Sequence, residues 1–288
     1  MSRIAYVNGK YLPQRDAMVN VEDRGYQFAD GIYEVIYLHD GRMIDVDLHL
    51  DRLERSLREL RLPAPMGRAA LVYVLAETAR RNRVSNGIVY IQITRGVSRR
   101  DHAFPADPVS PAFIVTARRT PPYPRDPAAW AASAITQPDQ RWARCDIKTV
   151  GLTANVLAKQ AAREKGAAEA FLIRDGMVTE GASTTVWIVD AEGRLRTRHL
   201  DHSVLPGCTR RALVAELRAE GIAFEERGVS EEELRSAHEA FITSATSFVR
   251  PIIRLDGAPV GDGTVGAVTR RLFEIFARHV TGGLRNAA

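Results

Sequence analysis

The chain has 288 residues, 45% of them hydrophobic and 26% charged, the composition of an ordinary globular protein long enough for two domains that share a cleft. Its formal charge of +5 and pI near 9.4 invite a nucleic-acid reading, but the arginines are interleaved with acids, as in DRLERSLREL and AELRAEGIAFEER. A solvated mixed surface with no nucleic-acid partner is therefore expected. No apolar run approaches about 18 residues, MSRIAYVNGKY lacks a charged-then-apolar signal pattern, and Cys145 and Cys208 make neither a disulfide framework nor a metal-ligand spacing. The expectation is a reduced, cytoplasmic protein with no membrane span and no metal.

Hairpins and helices fill the first third. IAYVNGKYLP sets Asn8-Gly9 between two extended runs, the dipeptide that best tolerates the positive φ angles of a tight hairpin turn. GIYEVIYL, Asp40-Gly41 and RMIDV form a second hairpin. In DLHLDRLERSLREL, Leu48, Leu53, Leu57 and Leu60 make a helical stripe. RAALVYVLAETARR is a second helix, and GIVYIQITRG and AFIVTAR are strands. RTPPYPRDPAAW carries four prolines and is the linker candidate, which sets the boundaries at a domain over 1–120, a linker over 121–131 and a domain over 132–288.

Beyond the linker come an extended AASAITQ, the loop PDQRWARCDIK and a helix from about Thr153 to Lys165 stopped by Gly166. EAFLIR, the turn Asp175-Gly176 and MVTEGASTTVWIVD read as a third hairpin. TRRALVAELRAEG is an amphipathic helix, and a capping box runs from Ser230 to Glu233. EAFIT, the loop SATS, a hairpin at Asp256-Gly257 and a terminal helix VGAVTRRLFEIFARHV complete the chain.

Of 40 basic residues only four are lysine: Lys10, Lys148, Lys159 and Lys165. Arginine stays protonated and cannot condense with a carbonyl, whereas a partly buried lysine can become a nucleophile or a Schiff base. Lys10 beside a turn and Lys159 and Lys165 on a polar helix face read as solvated. Lys148 ends the run Cys-Asp-Ile-Lys and enters a Gly-containing connection, as a strand-end residue facing a cleft would. A coding bias toward arginine is the competing explanation.

Three further groups carry two readings each. Glu180 leaves a strand into the small-residue run GASTT, where it caps a turn or reaches a protonated heterocyclic nitrogen. Gly207, Cys208 and Thr209 open a helix whose unpaired amides favour a phosphate, Ser244 and Thr246 lie in a hydroxyl-rich loop, and Arg52 lies beside its helix's apolar stripe. The alternatives there are an N-cap, a turn and a surface arginine. In TRGVSRRDHAFP, Arg99, Arg100 and His102 are either solvated charge or a carboxylate trap.

A lysine, a carboxylate for a ring nitrogen, phosphate donors and a carboxylate trap are the parts that pyridoxal phosphate needs to act on an amino acid. EDRGYQFADGIYEV, LHLDRLERS, QITRGVSRRDHAFP, RWARCDIK, NVLAKQAAREKG and VTEGAS, in this order, resemble the D-amino-acid branch of the class IV (fold type IV) pyridoxal-phosphate aminotransferases. QITRGVSRRDHAFP discriminates most. The resemblance implies an α/β (α+β) two-domain fold, with a smaller N-terminal α/β domain and a larger C-terminal, cofactor-binding domain around a mixed, partly barrel-like sheet.

It further implies pyridoxal 5'-phosphate as cofactor, Lys148 as Schiff-base lysine and proton shuttle, and Glu180 on the pyridine nitrogen. Arg52, the backbone around Gly207, Cys208 and Thr209, and Ser244 with Ala245 would hold the phosphate, with Leu205 against the ring. Tyr33 would join Arg100 and His102 around the substrate carboxylate, the last two reaching in from the other subunit of a homodimer. The implied reaction is ping-pong transamination, through pyridoxamine phosphate, between a D-amino acid such as D-alanine and a 2-oxo acid such as 2-oxoglutarate. A branched-chain L-amino-acid aminotransferase, an aminodeoxychorismate lyase of the same family and a non-enzymatic nucleic-acid binder are the alternatives.

The chain departs from the family pattern at three places: Thr149-Val150-Gly151 stands for Ser-Leu-Asn, Ala182-Ser183-Thr184 for a serine run, and Ala245 for a threonine. The last removes one hydroxyl donor, about 1 kcal/mol of phosphate grip.

Overall fold

Asn8-Gly9, Asp40-Gly41, Asp175-Gly176 and Asp256-Gly257 all turn in the left-handed region, with φ of 46° and 93°, 47° and 80°, 52° and 72°, and 49° and 84°. Asn or Asp followed by Gly adopts this backbone at least cost. Each pair joins two antiparallel strands, as the sequence implies. The structure, a computed structural model, describes residues 3–282. The chain divides into two compact units, Met1–Pro122 with Ile147–Leu152, and Tyr123–Asp146 with Thr153–Ala288. Residues 147–152, which fall in the second domain by sequence, thus pack with the first.

The first unit contains β1 (Ile4–Val7), β2 (Lys10–Pro13), α1 (Arg24–Phe28), β3 (Gly31–His39), β4 (Arg42–Met43), α2 (Val46–Glu59), α3 (Arg68–Arg81), β5 (Gly87–Thr94) and β6 (Ala112–Arg119). Its sheet is antiparallel throughout, in the order β2-β1-β6-β5-β3-β4. Alternation along β3 and β5 sends Ile32, Ile36, Val89, Ile91 and Ile93 into one core with Leu50, Leu53 and Leu57 of α2 and Leu71 and Leu75 of α3. The stripe on α2 differs from the expected one, because Leu50 is buried where Leu48 and Leu60 are only half-buried. His49, Arg52 and Ser56 share that buried face, so it carries polar groups amid the leucines.

The second unit contains α4 (Pro127–Trp130), β7 (Ala132–Pro138), α5 (Thr153–Glu164), β8 (Glu169–Arg174), β9 (Met177–Gly181), β10 (Thr185–Val189), β11 (Leu195–Thr197), α6 (Cys208–Ala219), β12 (Glu225–Glu226), β13 (Val229–Ser230), α7 (Glu231–Arg235), β14 (Glu239–Ser244), β15 (Phe248–Leu255), β16 (Ala258–Pro259) and α8 (Ala267–Thr281). The order β12-β11-β10-β14-β15-β7-β8-β9-β13 mixes antiparallel pairs with the parallel pairs β15-β7, β7-β8 and β11-β12. β9 and β10 are five strand positions apart along this path, a span of about 24 Å in a flat sheet. Yet only Ala182–Thr184 join them, and such a link reaches about 15 Å at most. The sheet therefore curls into a half-barrel, and MVTEGASTTVWIVD, read as part of one hairpin, forms two strands that part at residues 182–184, where Glu180 leaves its strand as expected. Glu233 and Ser230 form the capping box that the sequence announces, and Gly166 stops α5 at φ 69°.

The surplus of arginine is consumed largely in ion pairs. Arg68 meets Asp47, Asp51 and Glu54, and Arg235 meets Glu231 and Asp256. Lys159 differs from its expected solvated state, donating to Ala168 O at 2.8 Å and to the buried Glu169 Oε1 at 3.1 Å. Among the described residues no helix is long and apolar enough to cross a membrane.

Candidate active site

β4 pairs only with Leu38 and His39, which leaves the first half of β3 open along one edge. Residues 147–151 occupy that edge. Tyr33 N donates to Lys148 O at 3.0 Å, Val150 N donates to Gly31 O at 3.0 Å, and Ile32 and Thr149 form an antiparallel bridge. Ile147 anchors the segment in the core of the first unit, and Lys148 N donates to Ser56 Oγ of α2 at 3.3 Å. The Lys148 ammonium then lies 4.2 Å from the centre of the Tyr33 ring. A buried Ile147 side chain, backbone hydrogen bonds at Lys148 and Val150 and an amine resting on a π-face give a pre-positioned lysine.

Tyr33 stacks on Tyr90 at 5.9 Å and 29°, and Tyr90 Oη donates to Gln92 Oε1 at 2.8 Å. Burial, with the neighbouring Tyr33, pushes the Tyr90 phenol up to about 12, so it stays a hydrogen-bond donor at neutral pH. Tyr33, Tyr90, Gln92, Thr94 and Val150 line a cavity of about 340 Å³, within the size range of small-molecule sites.

Arg52 does not stand alone on α2. Its Nε and Nη2 bind Glu34 Oε1 and Oε2 at 2.7 and 2.8 Å, and His49 Nδ1 lies 2.8 Å from Glu34 Oε2. Sequence reasoning supplies the arginine and misses its counter-ion. The signal is present: Glu34 falls between Ile32 and Ile36 at the period of two, on the core face of its strand, where a carboxylate requires a buried cation.

Arg100 and His102 lie exposed in the connection between β5 and β6. The guanidinium carbon of Arg100 is 5.1 Å from the Phe28 ring centre, and the His102 ring is 5.4 Å from the same ring. The two trap candidates are thus gathered about one aromatic side chain.

In the second unit β9 delivers Glu180 at 7% exposure, its Oε1 bound by Arg141 Nη1 and its Oε2 accepting from Leu205 N at 3.2 Å. Arg141 also forks onto Asp139, with Nε to Oδ1 at 2.9 Å and Nη2 to Oδ2 at 2.8 Å, and donates to Thr179 Oγ1 and Ser203 O. One cation therefore serves two buried carboxylates. Burial raises the Asp139 carboxyl, but Arg141 and Thr179 outweigh it and hold it at about 2. In the sequence Arg141 is only one residue of a loop. Its proximity to Asp139 is visible there, whereas its reach to Glu180 is a product of the curled sheet.

Gly207 is the N-cap of α6 and no side chain caps that end, so the amides of Cys208 and Thr209 face outward from a positive helix terminus. Both residues are buried. A Cβ on Gly207 would meet Thr185 Oγ1 at 3.0 Å, so the two elements approach closely there. Thr184 Oγ1 is buried without a partner among the described residues, and Ser244 Oγ accepts from Ser247 N at 3.0 Å. An unpartnered hydroxyl, an uncapped helix end and a carboxylate in the second unit, and separately a lysine and a buried guanidinium in the first, are the residue types that a phosphorylated pyridine aldehyde demands. The residues present fit that group.

The amino-transferase class IV family profile matches residues 31–255. A D-alanine aminotransferase of Staphylococcus haemolyticus is 39% identical over 275 residues, covering 96% of this chain and 97% of the relative. A D-alanine aminotransferase of Listeria monocytogenes serotype 1/2a (strain 10403S) is 38% identical over 277 residues, covering 96% and 95%. Among solved structures, the branched-chain amino acid aminotransferase from Escherichia coli superposes with a TM-score of 0.89 at 24% identity, covering 100% of this chain and 97% of that one. A branched-chain amino acid aminotransferase of T.th., complexed with N-(5'-phosphopyridoxyl)-L-glutamate, gives 0.85 at 24%, covering 99% and 96%.

Proposed function

Since the chain belongs to the class IV aminotransferases, a pyridoxal-phosphate-dependent family, we propose that it transfers the amino group of a D-amino acid such as D-alanine to a 2-oxo acid such as 2-oxoglutarate. The observation that carries the choice of substrate is the near full-length identity of 39% to D-alanine aminotransferases, against 24% to the branched-chain enzymes that share the fold.

Pyridoxal phosphate, when bound, supplies an aldehyde that captures an amine and a ring that accepts the charge left when the α-proton departs. Lys148 Nζ would hold that aldehyde and would serve as the base that moves the substrate's α-proton. Glu180, whose Oε1 is bound by Arg141 Nη1, would pair with the protonated ring nitrogen. The amides of Cys208 and Thr209, with Ser244 and the Arg52 guanidinium, would take the phosphate, and Leu205 would pack beside the ring. Tyr33, Arg100 and His102 bind the substrate carboxylate, and the side of the pocket on which they hold it selects the D-enantiomer.

Met18, Val21 and Tyr26 are each more than three-quarters exposed, a set of apolar side chains that supports burial against a second copy in a homodimer. Two free, buried cysteines support a reducing, cytoplasmic setting. Turnover of D-alanine with 2-oxoglutarate, and none of L-leucine or aminodeoxychorismate, is the expected assay result; the reverse preference overturns the substrate assignment.

A further inference from the structure

Antiparallel neighbours such as β5 and β6 need only two residues to connect them, yet here the chain runs from Arg95 to Pro111 without regular structure. This loop carries Arg100 and His102. We infer that Arg24, Asp30 and Arg95 form a buried clamp whose purpose is to fix that loop, and that they are positioning residues for substrate-carboxylate binding; the inference rests on the proposed role of Arg100 and His102.

The clamp has two cations on one anion. Arg24 Nε donates to Asp30 Oδ2 at 2.9 Å, and Arg95 donates to the same carboxylate through Nε at 2.7 Å and Nη2 at 2.9 Å. Arg24 and Arg95 are 3% and 6% exposed. A second buried guanidinium on a single carboxylate leaves donors that only other acceptors can satisfy. Backbone carbonyls do so. Arg95 binds Leu60 O at 2.8 Å and Arg61 O at 3.1 Å at the end of α2, while Arg24 binds Asp101 O at 2.6 Å and His102 O at 3.4 Å within the loop itself.

Aromatic contacts continue the same hold. The Arg95 guanidinium carbon lies 3.8 Å from the centre of the Phe104 ring. The Arg24 guanidinium carbon lies 4.8 Å from the Phe28 ring, on which Arg100 and His102 also rest. At the loop's base Arg24 N donates to Gly96 O at 2.9 Å and Arg95 N to Asp30 O at 3.0 Å. An exposed loop is thus tied to a buried ion cluster at residues 96, 101, 102 and 104, and the two trap residues sit within the tied span. Three different nitrogens of Arg24, Nε, Nη1 and Nη2, meet the carboxylate and the two carbonyls, and the single point of a lysine ammonium does not span acceptors spread across that fork.

The test uses the cofactor-loaded protein. Arg24→Gln should raise KM for D-alanine roughly tenfold with kcat changed by less than about twofold, because a loosened loop loses positioning and leaves the chemistry alone. Trypsin cleavage after Arg99 and Arg100, followed by mass spectrometry, should accelerate by about tenfold as the loop opens more often. Arg24→Lys should behave like Arg24→Gln, and Arg24→Gln should add nothing to the KM of Arg100→Ala. Phe104→Ala, at a half-exposed position, should show the same two effects more weakly, and it decides the matter if Arg24→Gln fails to fold. Wild-type KM and wild-type cleavage in Arg24→Gln and Phe104→Ala, with KM raised in Arg100→Ala, overturn the clamp. A normal KM in Arg100→Ala overturns the trap instead, and the clamp then stands or falls on the cleavage rate.

Discussion

Glu34 holds Arg52 in a two-bond fork, Oε1 accepting from Nε at 2.7 Å and Oε2 from Nη2 at 2.8 Å, with the two side chains 0% and 8% exposed. Burial raises the Glu34 carboxyl, but the Arg52 charge and hydrogen bond, with those of His49, outweigh it and leave it far below the usual carboxylate range. A carboxylate depressed in the fold contributes stability above its unfolded pKa and loses it as pH falls through the folded value. Stability from this pair is therefore full at neutral pH and declines below about pH 4.5. Glu34→Gln should cost about 3–5 kcal/mol at pH 7, since Arg52 stays buried without its anion. Pairing it with Arg52→Met should recover much of the loss, and thermal unfolding of the three variants across pH checks both statements.

Arg141 makes a different prediction, because it links Asp139 to the proposed ring-nitrogen partner. Arg141→Gln should leave Glu180 easier to protonate and lower kcat about a hundredfold, with cofactor still bound. Glu180→Gln should do the same, and combining them should be little worse than either. Steady-state kinetics beside the visible absorbance of the bound cofactor separates this from simple cofactor loss, and a near-additive double variant would break the link.

Gly31 tests how Lys148 is placed. A Cβ there would meet Ile93 O at 2.7 Å and Thr94 Cα at 3.1 Å, both backbone, and Gly31 O is the acceptor for Val150 N. Gly31→Ala should cost about 2–3 kcal/mol by urea unfolding, and should slow hydride-trappable attachment of the cofactor at Lys148. Normal stability together with normal attachment would show that the edge of β3 does not set the lysine.

Delivery of the trap from a second copy is checked by mixing Lys148→Ala, which is inactive, with Arg100→Ala, assayed at D-alanine far below the latter's raised KM, where neither variant alone turns over appreciably. Lys148→Ala keeps Arg100, and Arg100→Ala keeps Lys148, so a mixed dimer holds one complete site if the loop crosses. Random exchange should restore about a quarter of wild-type activity. Failure to gain activity over the separate variants, in dimers shown to exchange, would place the trap within one chain.

What the residues determined alone was local or compositional. Four Asn-Gly or Asp-Gly turns, the Ser230–Glu233 box and the stop at Gly166 follow from preferences acting over three or four neighbours, and they hold whatever the rest of the chain does. The scarcity of lysine singled out Lys148 because no arginine can form an imine.

Other relationships were decided by tertiary structure, because they join residues distant in sequence. Residues 147–152 leave their surroundings to pair with β3, whose edge is open only because β4 is two residues long. The buried partners of three arginines, Glu34 for Arg52 and Asp30 for both Arg24 and Arg95, are chosen by which carboxylate is enclosed beside each guanidinium. Lys159 shows the same limit from the other side: its helix face reads as solvated until β8 brings Glu169 beneath it. Turn and cap chemistry is fixed by short-range sterics, whereas the pairing of buried charge depends on enclosure, and enclosure exists only once strands from across the chain have closed around it.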